Sequence, residues 1–144
     1  MGTHLSTRLV LVIDGQGGGI GSQLVRLLRP RLAADCALCC VGTNSLATGA
    51  MLKAGAARGA TGENAVCHNA AQADLIAGPM GIIVANGIMG EVSPRMAAAI
   101  SGARAQKVLI PSSSCGVHVA GVDALRLEEY LHHAADLAVR LLAE

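Results

Sequence analysis

A chain of 144 residues with 52% hydrophobic and 15% charged side chains can bury one sizeable core, and we read residues 1–144 as one domain. A net charge of +1, a single tyrosine and no Trp or Phe exclude the basic, aromatic platform of a nucleic-acid binder. The longest charge-free apolar window, 75–90, is broken by Pro79 and four glycines and cannot span a bilayer, so no membrane partner is expected. With few charges to cover its aliphatic residues, the chain is expected to form a homo-oligomer, a dimer or larger. The first apolar run ends at Asp14, unlike a secretory signal, and a cytoplasmic protein is expected.

Residues 8–13 read as the first strand, and 20–33 as the first helix, shortened near Pro30. Between them lies the stretch Asp14-Gly15-Gln16-Gly17-Gly18-Gly19-Ile20-Gly21, with five glycines in seven positions. Strand, glycine turn and helix point backbone N–H groups and a helix N-terminus at a phosphate. A tight turn without a ligand is the alternative. The fingerprint G-x-G-x-x-G fails, because Ile20 stands where its third glycine belongs. G-x-x-x-G-x-G fits, through Gly15, Gly19 and Gly21. A carboxylate beside a phosphate cradle needs a partner, so Asp14 either holds the turn through its amides or meets a base, a sugar or a metal.

Residues 36–41 read as the second strand, where alternation puts Cys36 and Cys40 on one face and Cys39 on the other. That dispersal argues against a metal site, and the five cysteines make no disulfide framework in so aliphatic a chain. Thr43 or Asn44 caps a helix running to residue 54. A nicotinamide dinucleotide site usually ends this strand with an acid that holds the ribose hydroxyls. Thr43, Asn44 and Ser45 stand there instead, which suits a 2′-phosphate, making NADP the candidate, or a ligand without a second ribose. Lys53 and Arg58 are candidates to meet that phosphate, or ordinary solvated charges.

Gly55 and Gly59 break the chain, a third helix starts at 61–64 and runs to 71, and 74–77 form a short strand. In residues 79–90, Ile82, Ile83 and Val84 favour a strand, while Pro79 just inside the start and Gly90 past the end suit a buried helix, which is the reading preferred. Ser93-Pro94 begins a helix ending near Gly102. Residues 107–110 make a fourth strand and 116–120 a fifth. Leu127, Leu131, Ala134, Ala138, Leu141 and Leu142 stripe a C-terminal helix, with His132 and His133 on its solvated side. The alternation predicts an α/β, three-layer Rossmann-like sandwich with a mostly parallel sheet of about five strands.

Ligands of such sheets lie outside the strands' carboxyl ends. The cofactor set is therefore Asp14 through Gly21 with Thr43, Asn44 and Ser45. Glu63, Asn64, Asn86, Glu91, Ser112 and Ser113 are the polar residues left for a substrate. Glu63 could also serve a helix N-terminus, and Glu91 a turn. Cys115 is a reactive thiol or a packed one.

Five phrases in order carry a resemblance over nearly the whole chain: 14–21, 42–55, 59–64, 78–83 and 90–94. They resemble a family of small bacterial proteins described only as a domain of unknown function. The resemblance implies a bacterial cytoplasmic protein and no particular activity. The glycine turn, Val84-Ala85-Asn86-Gly87 and the serines 112–114 are also similar to phrases of the short-chain dehydrogenases. That family's Tyr-x-x-x-Lys is missing, since Ala134 follows Tyr130 where the lysine would lower the phenol pKa. The expectation is a nucleotide-binding core of unassigned reaction, with a sensor or assembly subunit as the alternative.

Overall fold

A computed structural model describes residues 7–112 and 116–144. Five strands, β1 (Arg8–Asp14), β2 (Cys36–Gly42), β3 (Arg58–Thr61), β4 (Leu75–Pro79) and β5 (Gln106–Ile110), form one sheet in the order β3-β2-β1-β4-β5. Every neighbouring pair is parallel. The central strands are apolar without interruption because helices cover both faces of the sheet. Val10 and Val12 face α1 (Gly19–Leu28), α2 (Ser45–Ala54) and α5 (Leu127–Ala143). Leu11 and Ile13 face α3 (Glu63–Ala70) and α4 (Pro94–Ser101). The expected α/β sandwich is thus the fold, with a sheet that is wholly parallel among the described residues.

The predicted period of two holds in β2. Cys40 lies in the layer of α1, α2 and α5, with Cys36 packed against it, while Cys39 lies in the opposite layer. Burial pushes the Cys40 thiol up to about 11, so it remains a protonated, unreactive hydrophobe at neutral pH. In α5 the stripe Leu131, Ala134 and Ala138 is buried, whereas Leu127 is exposed. His132 and His133 face solvent.

Three expected elements differ. The first helix stops at Leu28, and Arg29–Arg31 tighten into a 3-10 turn around Pro30. The helix expected over 79–90 is instead the end of β4, a 3-10 turn at Met80–Ile83 and a run of turns. Gly78 and Pro79 pair with Leu109 and Ile110, and a Cβ on Gly78 would come within 2.2 Å of the Ile13 carbonyl oxygen. Glycine at 78 permits that close approach, and pairing with β1 and β5 holds β4 in the sheet. The strand expected at 116–120 is irregular chain, and the remaining place in the sheet belongs to β3. β3 is a four-residue edge strand, Arg-Gly-Ala-Thr, with almost no apolar alternation to announce it.

The chain steps from β1 to β2 to β3 toward one edge and from β4 to β5 toward the other. α1 and α4 therefore lie on opposite faces, and the carboxyl ends of β1 and β4 part to leave a crevice, the place where such sheets hold ligands.

Candidate functional site

The turn that leaves β1 is built around the buried carboxylate of Asp14. Its Oδ1 accepts the Gly15 N–H and its Oδ2 the Gly21 N–H, each at 2.7 Å. Burial raises the Asp14 pKa, while these N–H groups pull it back toward the ionised form. Of the two expectations for Asp14, holding the turn is the one with contacts behind it.

The five glycines divide into two sets. Added Cβ atoms would lie 2.7 Å from Thr43 Oγ1 on Gly15, 2.9 Å from the Ala47 backbone on Gly18, and 2.6 Å from Met51 Sδ on Gly21. Gly18 also caps α1 at φ 72°, which disfavours any side chain. Gly17 and Gly19 are exposed, and a Cβ on either would meet nothing within 4 Å. Among the described residues, their N–H groups have no backbone acceptor outside α1. Folding requires the first set; no contact among the described residues requires the second.

At the end of β2, Asn44 caps α2 by accepting the Ala47 N–H at 2.9 Å, and its Nδ2 donates to the Gln16 carbonyl at 3.0 Å. Thr43 donates its N–H to the Asp14 carbonyl at 3.0 Å. Ser45 is the exposed first residue of α2. The acid missing from this position in sequence arrives from elsewhere. Oε1 of Glu91, in the connection from β4 to α4, accepts from Thr43 Oγ1 at 2.5 Å, Gln16 N–H at 2.8 Å and Asn44 Nδ2 at 2.9 Å. The Thr43 hydroxyl, then the Gln16 amide, lower the Glu91 pKa by favouring its charge. A separation of 48 residues carries no local signal of this contact.

Of the two readings for Lys53 and Arg58, a phosphate contact has no support at this corner. Lys53 sits in the last turn of α2, roughly 12 Å along the helix from its start at 1.5 Å per residue. Arg58 pairs with Cys39, three residues before the end of β2, and lines a hollow with Leu9 and His68.

The connection carrying Glu91 crosses the same edge. Asn86, Ile88 and Met89 hold positive φ of 63°, 53° and 52°, rare for residues with side chains. Hydrogen bonds from Gly90 to Asn86, Glu91 to Ile88 and Val92 to Gly87 close it on itself. Ile88 and Met89 line a crevice of about 280 Å³ together with Asp14, Gln16, Ile20 and Ser112. Asn86 contributes its backbone to the loop, and its exposed side chain lies outside the crevice lining.

Glu63 and Asn64 are exposed at the start of α3, where Glu63 pairs with Arg95 of α4 at 3.6 Å. They lie outside the crevice. Ser113, Ser114 and Cys115 lie outside the described residues. A larger hollow, about 520 Å³, shares Ser112 and is lined by Val117, Val119, Val122, Leu125 and Tyr130 among others. The Tyr130 phenol donates to the Asp123 carbonyl and accepts the Leu125 N–H, so it is spent on tying that segment down.

Among the described residues, no helix is long and apolar enough to cross a membrane. No group of three or more His, Cys, Asp or Glu could hold a metal ion among them. The fold resembles the crystal structure of a dodecameric FMN-dependent UbiX-like decarboxylase from Escherichia coli O157:H7. The TM-score is 0.52 at 15% identity, over 94% of each chain, a likeness of fold. No curated protein sequence matches the chain. Residues 9–143 match the model of the Domain of unknown function (DUF3842), and the chain belongs to that family.

Proposed function

We propose that the protein binds the phosphate of a nucleotide or dinucleotide at the turn 15–21, with the remainder of the ligand along the carboxyl edge of the sheet, from the end of β2 to the crevice between β1 and β4. One observation carries this: Gly17 and Gly19 are glycines where the fold has no use for them. Missing Cβ atoms there let a ligand reach backbone N–H groups at the positive end of α1. The FMN dependence of the decarboxylase with this fold is consistent with a nucleotide ligand. The proposal is one of binding, with no reaction assigned. The dehydrogenase chemistry lacks its Tyr-x-x-x-Lys, and the Tyr130 phenol is engaged with the backbone.

Calorimetric titration against FMN, NAD, NADP, ATP and GTP tests it. Native protein binds at least one of them below about 1 mM, and Gly17→Val or Gly19→Val weakens that binding more than tenfold, about 1.4 kcal/mol or more. Both variants keep the native unfolding temperature within a few degrees, because their side chains meet open space. Failure of every ligand to bind the native chain removes the assignment.

We also propose that the chain associates with itself. α2 leaves Leu46 71% and Leu52 40% exposed. A second copy would cover such apolar surface. Light scattering should return a dimer or larger at micromolar concentration, and a monomer at every concentration would exclude it.

A further inference from the structure

Glu91 has one carboxylate oxygen anchored and the other open. Oε1 takes three donors from two separate segments: the Gln16 N–H, the Thr43 hydroxyl and the Asn44 amide. Oε2 has no hydrogen-bond or ion-pair partner among the described residues. The backbone that carries it is closed by its own hydrogen bonds, so the open oxygen is held in place before any ligand arrives. The carboxylate is held at the end of β2 through Thr43 and Asn44 and against Gln16, the residue before Gly17.

We infer that Glu91 reads the ribose of the bound nucleotide, accepting from its vicinal hydroxyls through Oε2 and selecting a free 2′-hydroxyl over a 2′-phosphate. This inference rests on the proposed phosphate site. A carboxylate only accepts hydrogen bonds, so it suits a diol and repels a phosphate dianion. The distant Lys53 and Arg58 offer that phosphate no compensating charge at this corner. The chain supplies from the β4–α4 connection the acid that similar sheets carry at the end of the second strand itself. The preference for a 2′-phosphate expected from Thr43, Asn44 and Ser45 is thereby reversed.

The test is the ratio of NAD to NADP affinity in native protein and in Glu91→Gln. The amide keeps an oxygen for the three anchoring donors and turns an NH₂ toward the ligand. Native protein should bind NAD at least about tenfold more tightly than NADP, and the variant should bring the two within about threefold or invert them. Equal weakening of both would mean that Glu91 only braces the turn, and an unchanged ratio that it does not face the ribose. Either result overturns the inference and leaves the phosphate site standing. Binding of FMN alone would overturn the ribose assignment, and binding of nothing would remove the phosphate site itself. Should the variant not fold, ADP and 2′-deoxy-ADP on native protein decide: about a tenfold loss supports Glu91's partner, and equal affinities refute it.

Discussion

Two segments cross the carboxyl edge of the sheet beside one another, and they are built in opposite ways. The turn 15–21 reaches its unusual conformation mainly with glycine and fastens it to one buried carboxylate, Asp14. The 86–92 connection puts Asn86, Ile88 and Met89 at positive φ and fastens itself through Glu91 to the first segment. The first places only one residue with a side chain, Gln16 at 46°, in the left-handed region. The second carries strain and leans on its neighbour, a pattern that recurs where a fold holds a functional group in place. Conformational freedom and chemistry are divided between them: one segment offers bare N–H groups, the other a poised carboxylate.

The largest effect should come from cutting the anchor of the glycine-rich segment. Asp14→Ala strands the N–H groups of Gly15 and Gly21 in a buried place and should cost about 2–4 kcal/mol in urea denaturation. A loss under about 1 kcal/mol would mean that water replaces the carboxylate and that the turn does not depend on it.

A smaller change should come from relieving the strained segment. Met89 is 92% exposed at φ 52°, so Met89→Gly removes an unfavourable conformation without removing core. It should stabilise the protein by about 0.5–1 kcal/mol, the left-handed penalty less the added freedom of the unfolded chain. Destabilisation would mean that Met89 has a partner in solution, and the contrast between the two segments would then be one of contact, not strain.

Much of this architecture is legible in the sequence. The alternation in β2, the Asn44 and Ser93 caps and the Ala-rich stripe of α5 each arise from residues within about four positions of one another. So does the strand–glycine–helix order that marks the turn. β3 escaped because an exposed edge strand needs no apolar face, and Arg58-Gly59-Ala60-Thr61 offers none. The segment 79–90 misled because a proline before an apolar run suits a helix as well as a strand end.

The sequence by itself determined the fold class, the family and the glycine turn, since all three are written in neighbouring residues. Which glycines the fold consumes and which it leaves open was decided by Thr43, Ala47 and Met51, brought alongside by the sheet and by α2. The charge at the end of β2 was decided in the same way. Thr43 and Glu91 are 48 residues apart, and they meet only because β2 and β4 flank β1 and their following loops fold over one edge. Local interactions select the elements; the order of strands selects which side chains share a site, and that order depends on burial summed over the whole chain.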